Sequence, residues 1–424
     1  MLRRALLLAL VACAAGCPAR VEDPAPPEKA GAPAPSEEPA FTPPAAPEGD
    51  LRAAADGNNA FAIDLYKALA AAAPASLVVS PYSVSAALGM TYAGARGETA
   101  GEMAKVLHFK LPPERLHPAQ GSLLGALVGM RGKERPTLQV ANALWGQSGV
   151  PFRDDFLALT RANYGAGLRE VDFAGNTEAV RQRINEWVNA KTRDRIPELL
   201  APGDLTVRTR LVLTNAVHFK DRWAKPFVEF GKEHPFWVSA DASVPRPFMH
   251  NGDVWSHFAG DGVNVVLVPY EGWRRTFVLV VPDARTGLRA VEQNLTLSKL
   301  NAWIADCTEA RVWLQLPEFR VKACLDLAGT LTKMGMPLPF TGGADFTGIG
   351  PGELSVSKVI HEALIEVNKE GTEAAAATAV VVGQPVSVPR EYRSVTVRAD
   401  RPFLYLIRDN PTESILFIGR YAGN

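Results

Sequence analysis

The sequence has little cysteine and no surplus of charge of either sign. Only four of its 424 residues are cysteines, and lysine plus arginine equals aspartate plus glutamate at 45 each. Balanced charge gives no reason to expect nucleic acid or an anionic membrane surface as the main partner. The basic stretch 181–195 is interleaved with Glu186 and Asp194, as on a solvated helix face. We therefore expect no nucleic-acid binding.

Catalytic motifs are missing too. The sequence contains no G-x-S-x-G elbow, phosphate loop or dinucleotide fingerprint. The segment "HEALI" at His361 has Ile365 where a zinc protease needs its second histidine. "SVSK", from Ser355 to Lys358, matches a nucleophile motif of penicillin-recognising enzymes, but no supporting second motif is present. The sequence therefore predicts a protein that is not an enzyme and that needs no metal or cofactor.

The N-terminal segment 1–17, "MLRRALLLALVACAAGC", is typical of a bacterial lipoprotein signal peptide. Two arginines precede a short apolar run and small residues that end at a cysteine. The run is too short to span a bilayer. Cys17 is the predicted lipidation site and Cys13 the alternative. We expect an exported, membrane-anchored lipoprotein, at the outer membrane or the cell surface. A secreted or periplasmic protein that is cut nearby is the other possibility.

Residues 18–50 are rich in proline, alanine and glutamate and poor in large apolar side chains. Such a segment cannot bury enough surface to fold, so it predicts a disordered, extended linker. The folded domain is predicted over 51–424, starting at Leu51. In that region, helical patterns such as "NNAFAIDLYKALA" are followed mainly by strand patterns such as "TRLVLTNAVHFK" and "TFVLVVP". The predicted class is α+β with large antiparallel or mixed sheets.

Several segments, in this order, resemble the serpins. They are "SLVVSPYSVSAALGMTYAGARGETAGEMAKVLHF", "VANALWG", "LTNAVHFKDRWAKPF", "SKVIHEALIEVNKEGTEAAAATA" and "ADRPFLYLIRDNPTESILFIGR". The resemblance covers about Leu51 to Asn424. It implies a single domain with three β-sheets, about nine helices and an exposed reactive-centre loop that can insert into the largest sheet. It also implies a monomer that needs no cofactor.

The segment from Glu370 to Val386, "EGTEAAAATAVVVGQPV", fits such a loop. Gly371 suits a hinge, because glycine accepts the dihedrals of both the folded-out and the inserted state. Alternate residues from Thr372 onward form an uncharged face that a sheet could bury. On the other face, Glu373 can remain in water. The predicted hinge comprises Gly371, Thr372, Glu373, Ala374, Ala375, Ala376 and Ala377.

The predicted function is therefore inhibition of a serine protease by suicide reaction. The protease would cut the loop, form an acyl-enzyme and be trapped when the loop inserts. A non-inhibitory serpin that acts as a binding or chaperone-like module is the alternative. A structural lipoprotein of the cell surface is a weaker one. The hinge favours inhibition because it carries no proline and no bulky side chain.

The family's usual spacing from Gly371 places the scissile bond at Pro385–Val386. Proline is a poor residue on the acyl side of that bond. The stretch from the hinge to Arg401 also looks a few residues longer than usual. Neighbouring candidates are the bonds Val382–Gly383 and Val386–Ser387, which suit an elastase- or subtilisin-like protease whose pocket accepts small apolar groups. Cleavage after Arg390 would suit a trypsin-like protease instead.

Four further residues match positions at which serpins control the opening of the main sheet. They are Ser80, Ser83, Asn215 and His361. The plainer interpretation is that His361 is a core histidine whose hydrogen bonds are satisfied. The two interpretations overlap, because a role of His361 in controlling the sheet would also be structural.

Overall fold

The packed structure begins ahead of the predicted domain start at Leu51. A computed structural model describes residues 41–72, 75–128, 137–192, 196–231, 233–372 and 391–424. Its first helix starts at Glu48, directly after Pro47. Pro44 lies so close to Gly121 that a Cβ on the glycine would come within 2.8 Å of the proline ring. Packing thus extends into the last residues of the segment that was predicted to be a linker.

The helix that follows the Ser80–Pro81 break lies at the centre of the helical layer. Proline at its first position is compatible with helix geometry, and all twelve of its residues are buried. Its alanines, serines and glycine allow neighbours to approach closely. The helices of the described residues are α1 (Glu48–Ala70), α2 (Pro81–Tyr92), α3 (Gly97–Val106), α4 (Pro113–Val128), α5 (Asp154–Tyr164), α6 (Thr177–Lys191), α7 (Leu288–Gln293), α8 (Leu297–Ala305) and α9 (Ala328–Lys333).

A six-stranded sheet, which we name the main sheet, runs in the order β12-β13-β14-β4-β2-β3. The long strands β4 and β13 are parallel and also pair directly with each other, from Val356 opposite Leu211 to Leu364 opposite His218. The strands are β2 (Thr137–Gln147), β3 (Leu168–Val171), β4 (Leu211–Arg222), β12 (Phe319–Asp326), β13 (Val356–Val367) and β14 (Gly371–Thr372).

A second, nine-stranded sheet packs behind the main sheet, and a two-stranded hairpin forms a third. The strands of the large sheet are β1 (Leu77–Val79), β5 (Val228–Glu229), β8 (Phe248–Gly260), β9 (Val263–Pro269), β10 (Arg275–Pro282), β11 (Thr308–Pro317), β15 (Ser394–Arg398), β16 (Phe403–Asp409) and β17 (Ile415–Tyr421). The hairpin joins β6 (His234–Trp237) and β7 (Ser243–Arg246).

Alternation along β4 places the two faces of the main sheet in different environments. Val217 and Phe219 point toward the large sheet and share a core with Phe277. Val212 and Ala216 point the other way, into a smaller cluster beneath α6. The main sheet is therefore covered on both faces, and the predicted α+β class with three sheets is confirmed. Among the described residues, no helix is long and apolar enough to cross a membrane.

Candidate functional site

The four residues predicted to control the main sheet lie together. His361 on β13 and Asn215 on β4 are direct cross-strand partners, and both are completely buried. The Nε2 of His361 accepts a hydrogen bond from the backbone N–H of Ser80 at 3.1 Å. Its other ring nitrogen, Nδ1, lies at hydrogen-bond distance from Oδ1 of Asn215. Since Nε2 accepts, Nδ1 carries the proton and donates it to Asn215.

The amide of Asn215 extends this network across the sheet. Its Nδ2 donates to Oγ of Ser83 and to Oδ1 of Asn142. Asn142 lies opposite Asn215 on β2. One polar row therefore crosses β13, β4 and β2 and is tied to α2 below the sheet. The hydroxyl of Ser80 adds a bond to the carbonyl of Leu416 at 2.7 Å.

Burial determines the charge of His361. Desolvation lowers the pKa of His361 to about 3. The ring is therefore neutral at physiological pH, as its acceptor role toward Ser80 requires. Both ring nitrogens are engaged within the protein, so His361 acts as a structural cross-link between two strands.

Lys358 belongs to the "SVSK" segment, for which the sequence offers no supporting second motif. Its ammonium group is held in ion pairs with Asp204 and Asp326.

The first two hinge residues occupy a place in the main sheet. Gly371 and Thr372 form β14, which pairs antiparallel with both β13 and β4. A side-chain turn at Asn368 reverses the chain, because Oδ1 of Asn368 accepts from the N–H groups of Glu370 and Gly371. Only glycine fits at 371, since a Cβ would overlap the carbonyl oxygen of Asp221. The hinge thus starts a new strand between β13 and β4.

Thr372 is completely buried. Its Oγ1 lies 2.6 Å from the hydroxyl of Tyr270. The Tyr270 ring stacks on Trp223 at 4.7 Å between centroids, and Nε1 of Trp223 donates to the carbonyl of Asn368 at 2.9 Å. Aromatic side chains therefore support the hinge and its preceding turn from below.

The remaining predicted positions lie outside the described residues. They are the hinge residues Glu373, Ala374, Ala375, Ala376 and Ala377, the scissile-bond candidates Val382, Gly383, Pro385, Val386, Ser387 and Arg390, and the cysteines Cys13 and Cys17.

Sequence reasoning did not identify Asn142 or Tyr270. Asn142 is a polar residue within the otherwise apolar "VANALWG", and that contrast was an available signal. Tyr270 follows the strand pattern "NVVLVP" and looks like an ordinary core aromatic. Its contact with Thr372 joins residues far apart in the sequence, so no local pattern could reveal it.

Comparison with known proteins identifies this architecture. The family model described as "Serpin (serine protease inhibitor)" matches residues 56–423. The leukocyte elastase inhibitor of Sus scrofa is 40% identical over 376 residues, which cover 86% of this chain and 98% of that protein. The human leukocyte elastase inhibitor is 36% identical over 379 residues, covering 86% of this chain and 98% of that protein. The crystal structure of Serpin48 from Tenebrio molitor superposes with a TM-score of 0.75 at 28% identity, covering 88% of this chain and 98% of that one.

The chain therefore belongs to the serpin family and is a serine protease inhibitor with the serpin fold. One prediction needs correction. From the absence of catalytic motifs, the sequence predicts only a protein that is not an enzyme. The family match and the inhibitor relatives overturn that description, because they identify the chain as a member of a family of serine protease inhibitors.

Proposed function

We propose that this protein traps a serine protease of elastase- or subtilisin-like specificity by inserting its cut reactive loop into the main sheet. The observation that supports this proposal is the position of β14. Its two residues run antiparallel to β13 and β4, while those strands run parallel to each other. A longer β14 would therefore form a ladder on each side.

The energetics favour insertion once the loop is cut. Insertion breaks the single parallel ladder between β4 and β13 and forms two antiparallel ladders in its place. Each net hydrogen bond contributes on the order of 1 kcal/mol. The uncut loop cannot follow, because its far end continues into β15, which is paired with β11 in the large sheet. Cleavage releases this constraint.

The chemistry follows from ordinary peptide hydrolysis. The serine Oγ of the protease bonds to the carbonyl carbon of the scissile residue. The C–N bond then breaks, and the amine leaves with a proton from the protease's histidine. The ester that remains links the two proteins. Insertion before water attacks this ester moves the protease away from the loop's original position and traps it.

Two observations support the specificity. Curated relatives at 36–40% identity are named leukocyte elastase inhibitors. In this chain, the stretch between Val382 and Ser387 offers only small, apolar or amide side chains, with Pro385–Val386 as the formal scissile bond. Cleavage at Arg390–Glu391 would lengthen the inserted strand and leave slack, which would weaken the pull on the protease.

The test is incubation with pancreatic elastase, subtilisin and trypsin, followed by a denaturing gel and mass measurement of the released C-terminal fragment. We expect a complex that survives boiling with elastase or subtilisin, and a fragment that begins between Gly383 and Ser387. A fragment that begins at Glu391 would refute the assigned specificity. Cleavage without any stable complex would refute trapping and favour the non-inhibitory alternative.

We also propose that the chain is a bacterial-type lipoprotein, exported and anchored through lipid on Cys17. The support is the signal-like pattern of residues 1–17 and the polar linker after it. Several acyl chains give stable anchoring where a single chain does not. Cys17→Ser should move the protein from the membrane fraction to the soluble fraction of cells. A Cys13→Ser, Cys17→Ser double variant that stays in the membrane fraction would contradict lipidation.

A further inference from the structure

A group of buried charges lies beneath the hinge strand. Asp221 is the direct cross-strand partner of Thr372, and its side chain points to the same inner face of the main sheet. Asp221, Arg275 and Asp409 are 3%, 1% and 0% exposed. Burial of charged groups at this level is unfavourable unless they are fully paired.

The pairing is incomplete. Nη1 of Arg275 lies 3.9 Å from Oδ2 of Asp221, and Nε lies 3.9 Å from Oδ1 of Asp409. Both distances exceed a hydrogen bond. Those two nitrogens and Oδ2 of Asp221 have no hydrogen-bond partner among the described residues. Asp409 is better satisfied, since it accepts from Nε of Arg274 at 2.8 Å and from the hydroxyl of Thr412 at 2.8 Å.

Tyr270 connects this cluster to the hinge. Its ring packs edge-on against the ring of Phe219, with 5.4 Å between the centroids. The guanidinium of Arg275 lies over the same Phe219 ring, 5.6 Å from its centroid. The Tyr270 hydroxyl bonds to Thr372. The hinge is therefore held by a favourable hydrogen bond, and its Thr372 lies directly across the strand pair from the buried Asp221.

We propose that Tyr270 and the Asp221–Arg275–Asp409 cluster are positioning residues for the hinge, with opposite effects. Tyr270 holds Thr372 in the main sheet before cleavage. The cluster favours departure of the hinge, because departure lets water reach Asp221. Their balance sets how readily the hinge enters and leaves the sheet. The significance for trapping rests on the proposed function, but the positioning itself can be measured without a protease.

The charges around Asp221 define a pH dependence. Burial raises the pKa of Asp221 to about 7, while Arg275 pulls it down, the N–H of Arg222 bonds to it, and Glu271 raises it. Departure of the hinge hydrates Asp221 and brings its pKa back toward the ordinary 3.8. The departed state therefore binds fewer protons at intermediate pH. As pH rises from about 4 to about 7, the inserted hinge should lose stability relative to the departed one.

Hydrogen exchange with mass spectrometry on the uncut full chain tests this. The readout is the protection factor of the peptide that spans residues 366–372, corrected for intrinsic exchange. For Tyr270→Phe we expect about tenfold lower protection, because one buried hydrogen bond is lost. Tyr82→Phe is the matched control, since its buried hydroxyl has no hydrogen-bond partner among the described residues. It should leave hinge protection unchanged.

Asp221→Asn tests the opposing group. The wild-type hinge should lose protection between about pH 4 and about pH 7, whereas the variant should show little change over that range. Unchanged hinge protection in Tyr270→Phe, or an equal loss in Tyr82→Phe, would overturn the proposal, as would a wild-type pH profile in Asp221→Asn. Gels run in parallel with the protease panel report on the proposed function separately. A protein that traps no protease yet shows the expected hinge exchange would refute the trap and leave the positioning role intact.

Discussion

Replacing His361 with alanine should loosen the contact between β13 and β4 more than an ordinary core truncation does. The ring links Ser80 on the helical layer to Asn215 across the sheet. His361→Ala leaves the buried N–H of Ser80 and Oδ1 of Asn215 without these partners. Each such loss costs about 1–3 kcal/mol. The sum is about 2–6 kcal/mol of unfolding free energy, before any contribution from the cavity.

The matched control is His117→Ala. His117 is also buried, at 2% exposed, and its Nδ1 lies 2.7 Å from the hydroxyl of Tyr164. It belongs to α4, away from the ladder between β4 and β13. Both variants should therefore unfold at lower denaturant concentration, but only His361→Ala should open the sheet.

Sheet opening can be measured by the uptake of a synthetic peptide with the sequence of residues 372–386, and by polymer formation on native gels. We expect faster uptake and more polymer for His361→Ala than for His117→Ala. Equal uptake by the two variants would refute the role assigned to the polar row. So would unchanged melting of His361→Ala, because it would mean that the two hydrogen bonds contribute nothing.

Three further predictions follow from the same contacts. Thr372→Arg places a charge in a fully buried position, so elastase or subtilisin should still cut the loop while stable complex is lost; retained complex would contradict the buried-face assignment. Gly371→Ala should raise the ratio of cleaved product to complex on a gel, since a Cβ there overlaps Asp221, and an unchanged ratio would show that the hinge need not enter. Burial lowers the pKa of His361 to about 3, so between about pH 6.5 and about pH 3 the unfolded chain binds a proton that the folded chain does not. The free energy of unfolding should therefore decrease as the pH is lowered through this range, by up to about 1.4 kcal/mol per pH unit. Denaturant titrations of His361→Ala should show a shallower dependence of that free energy on pH.

Local patterns predicted much of the fold because they depend on near neighbours. The Ser-Pro break and the small residues after it correctly indicated a buried helix at α2. The apolar run "LVLTNAVHF" gave β4, which is covered on both faces. The start of α1 was missed because residues 48–57 contain two glycines and several alanines, with no clear apolar stripe. Tertiary packing of Ala54 and Ala55 stabilises that part of the helix.

The site was predicted less completely, for a physical reason. Ser80, Ser83, Asn215 and His361 came from the family resemblance, and the structure brings them together. The position of Gly371 and Thr372 between β13 and β4 depends on the turn at Asn368 and on the hydrogen bond between Tyr270 and Thr372. Asp221 and Arg275 look like exposed charges in the sequence, because their burial results only from the packing of two sheets.

The central claim is that the cut loop completes the main sheet, and the melting temperature before and after cleavage tests it most directly. Elastase or subtilisin should cut the loop of the wild-type protein, and the nicked protein should melt at a clearly higher temperature, because two new ladders replace one. In Thr372→Arg, cleavage at the same place should raise the melting temperature by less than it does in the wild-type protein. A nicked wild-type protein that melts at or below the temperature of the uncut protein would contradict the account.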